Sequence, residues 1–331
     1  MAYRSVVSAL VLGLLATLGS VGCSGGDTDA AAAGPRTAKL AQLDPTPIAQ
    51  RPTPALPVTV RGFDGAQVTV RDASRVIAVD RYGTLTQTVY ALGLGDRLVG
   101  RTSTAAFPAV KALPNLGQGG SMSVEAVLAQ HPSVLLTDSI TTTPTMAEQL
   151  RGAGVTLVFF DPTRTMAGVG PQIQAVADAL GVPAQGRALA ERTNREIADA
   201  AKGPFPTPKL RIAFLYLRST AITMMGGPGS GADSMIEALG GENVGTAAGL
   251  TTPFVPITSE AMIAARPDMF LVMSDGLGSV GGVTGLLQLP GVAQTPAGKA
   301  QRVVDMDDSV LLSFGPNTGH VLKALAAALY G

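Results

Sequence analysis

Two stretches of the chain repeat each other, and this repeat limits the possible architectures more than any other feature. Residues 123–136 (SVEAVLAQHPSVLL) can be laid on residues 258–271 (TSEAMIAARPDMFL), with identity at the glutamate, two alanines, the proline and the last leucine. Each copy reads as a hydroxyl cap, a glutamate in the first helical turn, a short helix, a proline stop and a buried strand. The surroundings agree. Strand patterns at 75–80 (RVIAVD), 97–100, 134–137 and 155–159 alternate with helical patterns at 83–94, 124–130 and 145–153. A second series follows, with strands at 210–217, 222–225, 269–273 and 302–305, helices at 232–239 and 260–265, and a last helix at 318–330. Alternation of this kind predicts two α/β lobes with largely parallel sheets, related by pseudo-symmetry.

A length of 331 residues accommodates two such lobes, each with its own core. Residues 58–60 and 68–70 alternate around Asp64-Gly65 and read as a small hairpin opening the first lobe. The first lobe is expected over 58–167. A helical pattern then runs through Ile173, Val176, Ala177, Leu180, Leu189, Thr193 and Ile197, with Gly181-Val182-Pro183 kinking or dividing it. This places the interlobe helix at 168–202. The break Gly203-Pro204-Phe205-Pro206-Thr207-Pro208 opens the second lobe, 203–331.

Charge and rare residues exclude several functions. Twenty-four basic and 24 acidic residues cancel, which argues against nucleic acid as a partner. One cysteine excludes an intrachain disulfide and a cysteine-cluster metal site. Two histidines, His131 and His320, leave little for a multi-histidine centre, and both read as surface residues. Neither has a Ser and Asp context, and no Gly-x-Ser-x-Gly elbow or His-Glu-x-x-His helix is present. A secreted α/β hydrolase is therefore the weaker alternative, and the chain reads as a binding protein. Gly226-Gly227-Pro228-Gly229-Ser230-Gly231 lacks the Gly-Lys-Ser/Thr ending of a phosphate loop. Asp307-Asp308 reads as a turn between strands.

The N-terminus gives the compartment. Arg4 is the sole charge before Asp27, and residues 5–22 are uncharged and mostly apolar, as in a secretory signal or a short membrane anchor. Cys23 follows Ser20-Val21-Gly22, which resembles a bacterial lipobox, with Ser20 where the pattern prefers Leu. Residues 1–22 are thus read as a signal peptide and Cys23 as the lipidated residue. A plain signal peptide with an incidental cysteine is the alternative. Residues 23–57 are small, polar and proline-rich, so a disordered tether is expected.

The leader with Cys23, the RVIAVD strand, ALGLGDRLVGRTS, the repeated unit and the long middle helix resemble the solute-binding proteins of ABC importers. The similarity is to the class with one rigid interlobe helix, which handles haem, ferric siderophores and cobalamin. GADSMIEALGGENV, GGVTGLLQLPGVAQTPAGKAQRVVDMDDSVLLSFGP and FFDPTRT are most similar to haem-binding lipoproteins of bacterial haem importers, and the likeness covers roughly residues 58–331. It implies two Rossmann-like lobes joined by one long α-helix, with a ligand cleft between them. It also implies haem as transported ligand rather than intrinsic cofactor, a permease and its ATPase as partners, and an extracytoplasmic, lipid-anchored site of action. A ferric siderophore or cobalamin is the alternative cargo.

Site residues follow from the strand-end rule and from the resemblance. Ligands of two-lobed α/β proteins lie outside the carboxyl ends of strands. That rule puts Arg81, Tyr82, Arg101, Gly120 and Met122 on the first rim, and Arg218 and Phe254 on the second. Arg101 and Arg218 are candidates for pairing with haem propionates. By resemblance, Glu125 and Glu260 dock on the permease; capping their own helices is the local alternative. Haem-binding relatives hold iron with a His from the first lobe and a Tyr from the second, and those positions fall on Gly120 and Phe254. Three readings stay open: haem held by Met122 or by packing alone, another planar or cyclic ligand, or ligation by Tyr82 or Tyr216.

Overall fold

The computed structural model describes residues 34–118 and 121–331. The expected signal peptide, Cys23, the first part of the tether and Gly120 lie outside the described residues.

Two sheets, the first parallel and the second mostly so, form the lobes. The chain enters on strand β1 (Pro35–Ala38) and makes a hairpin of β2 (Val58–Arg61) and β3 (Gln67–Val70). The first lobe is built on β4 (Val76–Ala78), β5 (Leu98–Gly100), β6 (Val134–Asp138) and β7 (Thr156–Phe160), in the order β5-β4-β6-β7, all parallel. Every residue of β4 and β6 is buried, as expected of strands covered on both faces. The connecting helices are α1 (Thr84–Val89), α2 (Val124–Leu128) and α3 (Pro144–Gly152).

The second lobe holds β8 (Arg211–Arg218), β9 (Ile222–Gly226), β10 (Glu242–Asn243), β11 (Phe254–Pro256), β12 (Met269–Met273) and β13 (Val303–Met306). Its sheet runs β1-β13-β12-β8-β9-β11, with β10 beside β8. β9 pairs antiparallel with both β8 and β11; the other pairings are parallel. The sequence repeat is a structural one. Ser123 caps α2 by accepting from Ala126 N, and Thr258 caps the helix Ser259–Ala265 by accepting from Ala261 N, each at 3.2 Å. Their prolines follow His131 and Arg266, both in left-handed conformation at φ 47° and 44°.

The connector is a helical hairpin, not one helix over 168–202. Helix α4 (Val169–Ala179) ends at Gly181, which adopts φ 70°, and α5 (Pro183–Ala200) starts with proline at its first position. Glycine beyond one helix end and proline at the next start are the expected pair of stop and start residues. A Cβ on Gly170 would meet the Asn194 side chain, and one on Gly186 would meet Ala177, so α4 and α5 pack antiparallel. The 18-residue α5, about 27 Å long, is the long interlobe helix. It packs on the C-terminal helix Thr318–Tyr330, where Gly319 lies against Glu196.

Residues 34–57 are not a free tether. β1 extends the second-lobe sheet, pairing Pro35–Ala38 with Val303–Met306. The chain then crosses to the first lobe. Leu43 O accepts from Asn317 Nδ2 (3.0 Å), Thr46 O from Arg192 Nη2 (2.6 Å), and Asp44 Oδ1 from Ala109 N (2.8 Å). Ile48 N donates to Ala91 O (2.7 Å) and Ala55 N to Gly181 O (2.8 Å). Leu40, Leu43, Ile48 and Leu56 rest on the main apolar core. A segment too polar to form a core has been added to one that already exists.

The largest apolar cluster runs through both lobes, from Val76, Leu85 and Val89 to Phe214, Leu271, Leu312 and Leu322. Direct hydrogen bonds cross the same seam. Thr84 Oγ1 donates to Ser313 O, Gln87 Nε2 to Ser309 O (3.1 Å), and Met166 N to Ser234 Oγ (3.0 Å).

Candidate functional site

A cleft of about 760 Å³ lies between the lobes, at the carboxyl ends of β4, β8, β12 and β13. Its first-lobe wall includes Arg81, Tyr82, Ser103, Thr104 and Gln118. Its second-lobe wall includes Tyr216, Arg218, Met224, Phe254 and the acids Asp275, Asp307 and Asp308. A second cavity of about 550 Å³ lies between the β2–β3 turn, the end of β7 and α4, away from the strand ends that face the other lobe.

Asp80 shapes the first-lobe wall. It follows β4 and is fully buried. Its Oδ1 accepts from Leu85 N (2.9 Å), and its Oδ2 accepts from Tyr82 N (3.3 Å) and from Arg164 Nη2 (2.6 Å). The loop is thereby pinned with Arg81 and Tyr82 facing the cleft. Gly83 closes it at φ 72°, and a Cβ there would sit 2.8 Å from Thr104 O. The Arg164 guanidinium lies 5.7 Å from the Tyr82 ring centroid. Burial raises the Tyr82 phenol pKa, with Arg81 and Arg164 acting in the opposite direction.

On the second lobe, the pleat of β8 turns Tyr216 and Arg218 to the same side. The Arg218 guanidinium lies 4.7 Å from the Tyr216 ring centroid and bonds Asp308 Oδ2 at 2.8 Å. Asp308 Oδ1 accepts from Asp275 N at 2.9 Å. Burial raises the Asp308 carboxyl pKa in spite of these bonds. Phe254 packs on Tyr216 with ring centroids 5.7 Å apart, and Met224 adds an adaptable apolar surface.

Arg81, Tyr82, Arg218 and Phe254 meet in the cleft, where the strand-end rule puts them, and Tyr216, expected only as an alternative iron ligand, joins them from within β8. Arg101 and Met122 do not. The Arg101 guanidinium turns back to the carbonyls of Thr102, Ala105 and Lys111 and staples that loop. Met122 is buried in the outer core of the first lobe, among residues such as Val127, Leu135 and Ala147. Asp307 and Asp308 do form a turn, but it lines the cleft directly after β13; the strand-end rule applied to β13 identifies them. Glu125 and Glu260 are each exposed in the first turn of their helices. Glu125 accepts from Ser123 Oγ (2.8 Å), and its own backbone bond together with this one lowers its pKa.

Comparison with known proteins agrees with this geometry. The family described as periplasmic binding protein matches residues 79–310. A Bacillus subtilis protein described as an uncharacterized ABC transporter substrate-binding lipoprotein, YvrC, is 24% identical over 287 residues, covering 85% of this chain and 88% of its own. The crystal structure of the heme binding protein HmuT superposes with a TM-score of 0.87 at 35% identity, covering 91% of this chain and 99% of that one. HmuT has also been solved with a histidine, a tyrosine, or an arginine two positions after that tyrosine changed to alanine. The periplasmic heme-binding protein RhuT from Roseiflexus sp. RS-1, in apo form, gives a TM-score of 0.73 at 38% identity, covering 78% of this chain and 98% of its own.

Proposed function

The chain belongs to the periplasmic binding protein family, and we propose that it captures haem in the interlobe cleft and delivers it to an ABC permease driven by its ATPase. The observation that carries this reading is Tyr216 with Arg218 two residues on, the guanidinium 4.7 Å from the ring, on the cleft wall. The spacing equals that of the tyrosine and arginine varied in HmuT. Ferric iron is a hard acid and favours an anionic oxygen ligand. In this reading Tyr216 gives up its phenol proton and binds the iron, and Arg218 offsets the phenolate charge. Phe254, Met224 and Ile222 form the apolar wall for the macrocycle, while Arg81 meets a propionate. Arg218 is committed to Asp308, so it positions Tyr216 rather than holding a propionate itself. The loaded protein presents Glu125 and Glu260 to the permease, held at the membrane by a lipid on Cys23. The protein consumes nothing; the cargo leaves unchanged.

Haemin titrated into the protein should give a shifted Soret band and a phenolate-to-iron charge-transfer band. Tyr216→Phe should weaken binding by roughly tenfold or more, about 1.4 kcal/mol. Saturable binding of cobalamin or a ferric siderophore, with none of haemin, would replace the haem reading and leave the importer role intact.

A further inference from the structure

Ligation by Tyr216 leaves open what the first lobe offers to the opposite face of the iron. The chain has no histidine for it. His131 is exposed at the end of α2, and His320 stands on the C-terminal helix, 3.9 Å from Glu196. Gly119 and Gly120 have no donor side chain, and Met122 is buried in the outer core. Among the described first-lobe residues lining the cleft, Tyr82 is the one with a phenol.

Tyr82 is held in place independently of any ligand. Asp80 accepts its amide, Gly83 packs beneath Thr104, and the Arg164 guanidinium lies against its ring. Arg81 precedes it in the same loop, and Arg81, Tyr82 and Tyr216 all line the one cleft, Tyr82 from the first lobe and Tyr216 from the second. Each lobe thus brings to the cleft a tyrosine with guanidinium groups beside it: Arg81 and Arg164 at Tyr82, Arg218 at Tyr216.

We propose that Tyr82 is the second axial ligand, so that one ferric tetrapyrrole is clamped between two tyrosinates, one from each lobe. This rests on the reading of the cleft as a haem site with Tyr216 on the iron. Each Fe–O bond forms as a phenol O–H bond breaks; the two protons pass to solvent, and the water or anion already on the iron departs. The iron stays ferric throughout. Two anionic oxygens are a poor match for ferrous iron, so the clamp selects oxidised cargo. The arginines offset the charge the clamp gains, and each lobe holds one bond to the same atom.

The test uses haemin with the full protein and its Tyr82→Phe, Tyr216→Phe, double-Phe and Tyr82→His variants, followed by absorption, electron paramagnetic resonance and resonance Raman spectra. The wild type should bind one haemin per chain as a six-coordinate species with tyrosinate bands. Either single Phe variant should leave a five-coordinate single-tyrosinate species, with affinity lower by roughly tenfold or more. The double variant should lose the tyrosinate bands. Tyr82→His should convert the spectrum to a mixed histidine–tyrosinate type, which requires a folded cleft and so guards against a misfolded Phe variant. A five-coordinate wild type overturns the clamp. So does a Tyr82→Phe spectrum and affinity equal to wild type while Tyr216→Phe loses its bands; haem capture then stands. Two haemins per chain, one lost with each tyrosine, overturns the shared iron. No Soret change in the wild type removes the haem reading itself.

Discussion

Behind the cleft wall lie two buried carboxylates, one of them paired with a buried arginine. Asp80 is satisfied by Arg164 at 2.6 Å, with both side chains all but inaccessible. Asp138, at the end of β6, is 1% exposed; its Oδ1 accepts from Ile140 N (3.1 Å) and Thr141 N (2.7 Å), while its Oδ2 has no hydrogen bond. Burial raises its pKa, and the nearby charge of Asp80 adds to this. The consequence for stability has a definite sign. An acid whose folded pKa is raised ionises first in the unfolded chain, at about pH 4. Its contribution to stability therefore falls as pH rises from about 4 to the raised native value, and stays low above it. Asp138→Asn keeps the oxygen that receives both amides and removes the charge. It should stabilise the protein at pH 7, because it removes a buried charge that burial and the neighbouring Asp80 both disfavour. The gain should vanish below about pH 4. Urea unfolding across pH 4 to 8 measures this; equal pH dependence for both proteins would show that Asp138 is solvated through a route not seen here.

Single residues also mark how far the sequence could be read. Arg218, Arg81 and Tyr82 are legible because parallel strands aim their ends at the cleft, whereas Tyr216 lies inside β8 and enters from the sequence only as an alternative iron ligand. Arg101 stands at a strand end as well, directly after β5. Its side chain instead finds three carbonyls in its own loop, which no strand pattern encodes. Met122 is one position before an exposed cap, Ser123, and only the three-dimensional path of the loop turns it inward. Phe254, which the resemblance puts at the position of the relatives' tyrosine, packs against Tyr216.

Among the elements, the strap over residues 34–57 departs furthest from expectation. Composition was a poor guide because it asks whether a segment can build a core. It does not ask whether a segment can lie on one. β1 needs only an open edge, and β13 supplies it. The later residues need only a few apolar side chains and backbone bonds to two lobes already folded. By contrast, the α4–α5 corner is legible from Gly181 and Pro183, since the backbone requirements at a stop and a start are local. The strap is predicted to brace the lobes. Replacing Leu40, Leu43 and Ile48 together by Ser should cost about 3 kcal/mol, taking roughly 1 kcal/mol for each half-buried aliphatic side chain. The same variant should speed amide exchange at Ile48 and Ala55, whose N–H groups bond Ala91 and Gly181. Stability and exchange unchanged from wild type would return residues 34–57 to the status of a tether.

At the scale of the molecule, the lobes are held by a shared apolar cluster, hydrogen bonds from Thr84 and Gln87, helix α5 and the strap. Large hinge motion would have to expose that cluster, so a partner must recognise a nearly fixed outline with modest closure. Such a partner needs points on both lobes to register it, and the repeat supplies two. Glu125 and Glu260 occupy equivalent first turns of equivalently capped helices, each exposed. Being exposed, they add little to the fold. Being acidic and one per lobe, they suit a partner that carries two matching basic sites. Reversing both to Lys should therefore abolish haem uptake by cells relying on this protein and its permease, while haemin affinity and the melting temperature stay close to wild type. Either single reversal should lower uptake partially, because one contact remains. If the double variant transports at the wild-type rate, the two glutamates are helix caps and the permease reads another surface. If haemin affinity falls along with transport, the substitutions have reached the cleft, and the separation of docking from capture argued here does not hold.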